Sequence, residues 1–209
     1  MPRLRGAITT KPEGDGAWAI LNEQLFGDHG IGGHFVSVRP EVLPFDWEKV
    51  FNRRARLGLE IGFNRGRFLR GLAARFPERD FIGIEVRRRY CWRLAKMLAE
   101  SSTGPRNVRI IWADAKAITR SLFAADTVND IFVTFPDPWW KKRHAKRRLV
   151  DTRFAQDMAT LLPAGGRIWV KSDVRAIRDE IAEALVSIPS LSSPVSFEQD
   201  ELPLTHRET

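Results

Sequence analysis

The sequence predicts a doubly wound α/β fold with a mostly parallel sheet, and three observations carry that expectation. From about Arg56 onward, short apolar runs alternate with longer amphipathic ones, the pattern of parallel strands joined by helices. The first apolar run passes directly into Gly62-Phe63-Asn64-Arg65-Gly66, and a helical pattern opens at once. Acids close three successive runs, Glu60, Glu85 and Asp114, and a parallel sheet gathers such ends on one edge, where these folds bind their ligands.

Residues 1–50 precede the alternation. They carry Gly14, Gly16, Gly27, Gly30, Gly32 and Gly33 among scattered prolines and read as an irregular arm. Strands are expected at 56–61 (RLGLEI), 80–86 (DFIGIEV), 107–113 (NVRIIWA), 130–135 (DIFVTF) and 167–172 (RIWVKS). Helices are expected between them. The first covers 67–76 and ends at Pro77, and the second covers 89–101 and stops at a Ser-Thr-Gly-Pro turn. A third covers 152–162 before Pro163 and Gly165-Gly166, and a fourth covers 174–186 before Pro189.

Bulk properties bound the rest. The chain has 209 residues, 43% of them hydrophobic, which suits one domain with a single core. No apolar run approaches the roughly 20 residues that cross a bilayer, and MPRLRGAITT lacks a secretory apolar stretch, so a cytoplasmic protein is expected. Cys91 is the one cysteine, which excludes an internal disulfide and a cysteine-cluster metal site; no metal is expected. The oligomeric state stays open, with a monomer favoured.

The strand-end acids favour one kind of cofactor. Glu85 lies about 19 residues beyond Gly66, where a carboxylate commonly meets ribose hydroxyls, and Asp114 could accept from an adenine amino group. Glu60 immediately before the glycine turn is awkward for a dinucleotide pyrophosphate. It suits S-adenosylmethionine, which has no phosphate and carries a positive ammonium and sulfonium. A plain strand-to-helix turn at Gly62 and Gly66, and a capping or surface role for Glu60, are the bland alternatives.

The fourth strand runs into Pro136-Asp137-Pro138-Trp139-Trp140. Prolines on both sides restrict the backbone and hold Asp137 at the mouth of the sheet. Then comes a run, residues 139–148 (WWKKRHAKRR), with six Lys/Arg and no acid, so most of the net charge of +8 sits in one patch. Lys141, Lys142, Arg143, Lys146, Arg147 and Arg148 would neutralise phosphates while Trp139 or Trp140 stacks on a base, and both features suit one polymer substrate. A Pro-rich turn followed by a solvated charged face is the alternative, although a purely solubilising surface would mix signs.

LGLEIGFNRGRFL, FIGIEVRRRY, ADA, FPDPWWKKRHAKRRLV, GGRIWVKSD and PLTHRE, taken together, resemble the bacterial tRNA (guanine-N7)-methyltransferases from about Pro44 to the C-terminus. The resemblance implies a Rossmann-like class I methyltransferase domain at 51–209 that moves a methyl group from S-adenosyl-L-methionine to a guanine of the tRNA variable loop. It implies that Glu60, Gly62, Glu85, Asp114 and Asp137 meet the cofactor, and that Asp137 is also catalytic. Lys141, Asp173, Thr205, His206, Arg207 and Glu208 would meet the target nucleotide. Asn64 stands where the family usually has its second glycine, and Asn tolerates left-handed backbone well. Thr205-His206-Arg207-Glu208 lacks the aromatic that usually precedes the final glutamate, and the chain stops at Thr209 without the family's usual tail.

Two other functions share these features. Methyltransferases for exocyclic base nitrogens carry Asp-Pro-Pro-aromatic loops after the fourth strand, where this chain has Trp139 in place of the second proline. A non-catalytic RNA-binding protein on a decayed methyltransferase fold would also accommodate Asn64. A nicotinamide oxidoreductase is a distant third.

Overall fold

A computed structural model describes residues 43–140 and 142–195. In chain order the elements are α1 (Trp47–Phe51), β1 (Leu57–Ile61), α2 (Arg67–Arg75), β2 (Asp80–Glu85), α3 (Arg88–Glu100), β3 (Val108–Trp112), α4 (Ala115–Leu122), β4 (Asp130–Thr134), a 3-10 helix (Lys142–Arg147), α5 (Thr152–Leu161), β5 (Arg167–Lys171) and α6 (Arg175–Val186). The five strands form one parallel sheet in the order β3-β2-β1-β4-β5. The order reverses direction at β1, so the crevice of a doubly wound sheet opens beside the carboxyl end of β1.

Strands covered on both faces read as continuous apolar runs, and β1 and β2 are buried at every position. The two-residue period then splits the core into two layers. Leu57, Leu59, Ile61, Ile82, Ile84, Ile131 and Val133 meet the side built from α1, α4, α5 and α6, with Phe154, Met158, Ile177 and Ile181 among the facing residues. Phe81, Val108, Ile110 and Phe132 meet α2 and α3 through Phe68, Leu69, Leu72, Leu94 and Leu98. Phe132 takes Phe68 edge-on at 5.4 Å and stacks on Trp169 at 6.4 Å.

The five expected strands and four expected helices all form, with ends shifted by a residue or so. The interval between the third and fourth strands, left without a helix in the sequence reading, holds α4. Its signal was present: Asp114 caps it by accepting from the Lys116 amide at 3.0 Å, and Ala115, Ile118 and Leu122 line one face.

Residues 1–42 of the expected irregular arm lie outside the described residues. Within residues 43–50, Phe45, Trp47 and Val50 are buried in the core. Asp46 caps α1 by accepting from the Lys49 amide, and Trp47 stacks on Phe123 at 5.1 Å with Phe45 at 5.3 Å. Nearby, Arg53 pairs with Asp80 at 2.6 Å, and the Asn107 side-chain amide donates to the carbonyls of Ala73, Phe76 and Arg79. These contacts tie α1 and the ends of α2 to the amino edge of the sheet, opposite the crevice.

If α1 is part of the core, truncating its aromatic anchor must cost what a core truncation costs. Trp47→Ala is expected to destabilise the chain by about 3 kcal/mol, lowering Tm by roughly 6–12 °C at this chain length. A denaturant midpoint within error of wild type would show that α1 is ornamental.

Candidate active site

The carboxyl ends of β1 to β4 each deliver an acid to one edge. Glu60 and Glu85 are buried, at 2% and 4% exposure, whereas Asp114 and Asp137 are exposed. Asp173 follows β5 on the same edge and is exposed, one residue before Val174, the N-cap of α6. Lys141, Thr205, His206, Arg207 and Glu208 lie outside the described residues.

The turn after β1 is built for close approach. Gly62 has φ +78° and nothing within 4 Å of where a Cβ would stand, so open space adjoins it. Gly66 also has a positive φ, +69°, and a Cβ there would run into Leu94 at 2.3 Å. Asn64 supplies a third left-handed residue at φ +52°, which the sequence reading anticipated from its tolerance of that region. The Gly62 amide donates to the Ile84 carbonyl at 2.7 Å, pinning the turn to β2.

Glu85 is held rigidly. Its Oε2 accepts from the Asn64 amide at 2.9 Å and its Oε1 from the Arg87 amide at 2.7 Å. A carboxylate has about four acceptor positions, so two remain for hydroxyl donors. That arrangement suits a ribose diol.

Glu60 is the unusual group. Thr134 Oγ1 donates to its Oε1 at 3.4 Å, and its Oε2 is buried without any partner. Burial, with the Glu85 charge adding to it, pushes the Glu60 carboxyl up to about 8. An isolated buried carboxylate is costly and stays protonated unless a cation joins it. Glu60 Oε2 is thus an unpaired buried oxygen two residues before the open Gly62 turn, and a positively charged group brought up to it, such as the ammonium end of S-adenosylmethionine, would compensate the buried charge.

Asp137 sits on a loop anchored at both ends. Phe135 and Trp139 bracket it with positive φ values of 49° and 44°, rare for aromatic residues and costing about 1–3 kcal/mol each. The strain is held by neighbours: the Phe135 amide donates to the Lys171 carbonyl at 2.7 Å, and Arg148 Nε donates to the Pro138 carbonyl at 3.2 Å. Arg148 also pairs with Glu180, and Lys116 with Asp151. Arg148 is thus a strut of the loop, unlike the phosphate contact expected of it from sequence.

Of the two tryptophans, Trp139 is engaged. Its ring lies edge-on to His144 at 5.7 Å with the Arg147 guanidinium 5.1 Å above it. Trp140 is 71% exposed and is the one available for stacking. One contact escaped the sequence reading altogether: Arg87, just past β2, pairs with Asp137 at 2.7 Å. No spacing rule links positions fifty residues apart.

A cleft of about 380 Å³ opens between the start of α5 and α6, lined by Arg148, Asp151, Glu180 and Glu183 among others. It contains none of the four strand-end acids, and the crevice at β1 remains the place where the chemistry converges. Among the described residues, no cluster of three or more His, Cys, Asp or Glu could hold a metal ion, and no helix is long and apolar enough to cross a membrane.

Glu60 makes stability depend on pH in a definite direction. Its folded value of about 8 exceeds the ordinary 4.5, so the folded state binds the extra proton between them. The stability it contributes is complete below the lower value and is lost as pH rises toward the upper one. Glu60→Gln is expected to flatten the pH dependence of unfolding in that window by up to about 1.4 kcal/mol per pH unit. Thermal melts of the ligand-free chains across the window test this, and identical slopes for the two chains would refute the burial argument.

Comparison with known proteins bears on the family and the fold. The profile of a family described as "Putative methyltransferase" matches residues 54–207. A tRNA (guanine-N(7)-)-methyltransferase of Synechococcus sp. (strain JA-3-3Ab) is 35% identical over 79% of this chain and 71% of its own length. A protein of the same name from Synechococcus sp. (strain JA-2-3B'a(2-13)) is 34% identical over 91% of this chain and 82% of its own. Among solved structures, the aminoglycoside resistance methyltransferase NpmB1 superposes with a TM-score of 0.52 at 20% identity, covering 73% of this chain and 72% of that one. A 16S rRNA (adenine(1408)-N(1))-methyltransferase from Catenulisporales acidiphilia does so at 0.51 and 16% identity, covering 75% and 73%. At those identities the structural likeness speaks for the fold alone, and the sequence matches go further: the chain belongs to this methyltransferase family, together with proteins named tRNA (guanine-N(7)-)-methyltransferase.

Proposed function

We infer that the chain methylates N7 of a guanine in tRNA, in the variable loop, with S-adenosyl-L-methionine as methyl donor and as a cytoplasmic monomer. The observation that carries the reading is the union of two opposite chemistries on one edge: four acids at the ends of β1 to β4, continued through Asp137 into an acid-free basic segment. A small cationic cofactor needs the first and a polyanionic substrate needs the second.

The fit to the cofactor rests on chain groups already described. Glu60 would take the ammonium with its unpartnered Oε2, Gly62 would let the backbone approach, Glu85 would accept from the ribose diol, and Asp114 would face the adenine. When bound, the cofactor supplies an electrophilic methyl group on a positively charged sulfur. Asp114 already caps α4 through one oxygen, which leaves its other for that contact.

Guanine N7 offers an in-plane lone pair, so the chain needs no base to remove a proton. Its work is positioning and charge. The strained, doubly anchored loop holds Asp137 within the crevice mouth, where its carboxylate can orient the purine and offset the positive charge that develops on it. Trp140 is exposed for stacking on a base, and Arg143 and Arg147 are exposed in the 3-10 helix that follows, available for phosphates. Lys141, Asp173 and Thr205 to Glu208 would complete the nucleotide site, as the family likeness suggests.

Incubation of unmodified bulk tRNA with methyl-labelled S-adenosylmethionine is expected to leave label in N7-methylguanosine, with strand scission by borohydride and aniline at the modified guanine. Label in an exocyclic-nitrogen product would favour the rival methyltransferase reading, and cofactor binding without transfer would favour an RNA-binding protein. Asp137→Asn is expected to lower single-turnover transfer by about 10²-fold with tRNA affinity retained in filter binding. Full transfer by that variant would remove Asp137 from the chemistry.

A further inference from the structure

We propose that Arg87 is a positioning residue that occupies the cationic place beside Asp137, and that it thereby sets the preference of the site between a charged sulfonium and a neutral thioether ligand. The inference rests on the cofactor reading above and adds to it a residue and a specificity.

Arg87 follows β2, and Asp137 follows β4; these two strands flank β1 in the sheet. To reach Asp137 Oδ2 at 2.7 Å, the Arg87 guanidinium spans the end of β1, where the Gly62 to Gly66 turn opens the crevice. Its root is fixed at the same time. The Arg87 amide donates to Glu85 Oε1 at 2.7 Å, and its guanidinium lies 5.9 Å from the Tyr90 ring. Arg87 therefore touches one strand-end acid through its backbone and another through its side chain. Both partners of the ion pair are about half exposed, at 44% and 54% of their side chains. An exposed pair of that kind is weak, and it exchanges easily for another cation.

The electrostatics follow from counting charges at the mouth. With Arg87 on Asp137, that carboxylate is already neutralised. A ligand that brings a positive sulfur toward Asp137 must displace the guanidinium or suffer its repulsion. A ligand with neutral sulfur need do neither. Wild-type chain is therefore biased toward the thioether relative to a site lacking Arg87, and the bias depends on charge at position 87 alone.

The experiment is calorimetric titration of the full-length chain with S-adenosylmethionine and, separately, S-adenosylhomocysteine, for wild type, Arg87→Gln and Arg87→Lys. Arg87→Gln is expected to shift the affinity ratio toward the sulfonium ligand by roughly two- to fivefold. Arg87→Lys, which keeps the charge, is expected to keep the wild-type ratio, and added salt is expected to shrink the difference between wild type and Arg87→Gln. An unchanged ratio in Arg87→Gln, with both ligands binding and the fold intact by circular dichroism, would overturn the proposal. A loss of tRNA affinity with that unchanged ratio would make Arg87 a phosphate contact instead. Failure of wild type to bind either ligand would overturn the cofactor reading itself, and this inference with it.

Discussion

Glu85 is the residue on which the geometry of the site depends. Its carboxylate accepts from the amides of Asn64 and Arg87, its carbonyl accepts from the Ala113 amide at 3.2 Å, and Cys91 Sγ donates to that same carbonyl at 3.4 Å. One buried residue thereby joins the turn after β1, the start of α3 and the end of β3. Charge-assisted bonds to main-chain amides are stronger than neutral ones, so the carboxylate can hold the turn after β1 and the residue before α3, while the carbonyl extends the β2–β3 ladder to Ala113. The glycine turn can be open, with empty space beside Gly62, because its far side is tethered to this carboxylate.

The opposite edge of the sheet shows what the site edge gives up. There, Asp80 has Arg53 against it, Asn107 uses its amide on three carbonyls, and Arg109 donates to the Val50 carbonyl at 3.0 Å while lying 4.4 Å from the Phe51 ring. Asp80 and Asn107 are fully engaged on that edge, and Arg109 is held through its terminal nitrogens although its Nε, like Trp47 Nε1, has no hydrogen-bond partner. On the crevice edge Glu60 Oε2 has none, and the loop at Asp137 carries two strained residues. Uncompensated burial and backbone strain cost stability, and they persist where surrounding structure over-determines them. The stability that supports them comes from the two-layer core and from the amino edge.

The fold was legible because its signals are periodic and local. LGLEI and DFIGIE can only be strands buried on both faces, and each helix stop coincided with a proline, a glycine or a cap. Helix α4 is announced only by Asp114, which is a cap as well as a candidate ligand group, and eight residues give too short a period to stand out beside it. Helix α1 is five residues long and sits beside glycine-rich sequence, too short for a period to register. The positions of Glu60, Glu85, Asp114 and Asp137 can be inferred because each lies at, or within three residues of, the carboxyl end of a strand. What sequence could not supply were partners across the chain. Arg148 looked like one cation in a run of six, and only the folded geometry ties it to Glu180 and the Pro138 carbonyl.

That redistribution changes how the charge of the protein is to be understood. A net charge of +8 concentrated in one run suggests an attractive patch for RNA, yet several cations of the chain are committed to its own acids: Arg148 to Glu180, Lys116 to Asp151 and Arg87 to Asp137. Asp151 caps α5 and Asp137 is the candidate acid of the crevice, and either one unpaired would repel a phosphate brought near it. Pairing removes the repulsion at short range without removing the acid. The exposed cations Arg143 and Arg147 then face solvent around a neutralised rim. Because half-exposed pairs are weak and exchangeable, an acid such as Asp137 can be released from its internal partner when a cation of the substrate complex replaces it. A single edge can in this way present negative charge to a small cation and positive charge to a polymer within a few residues of each other.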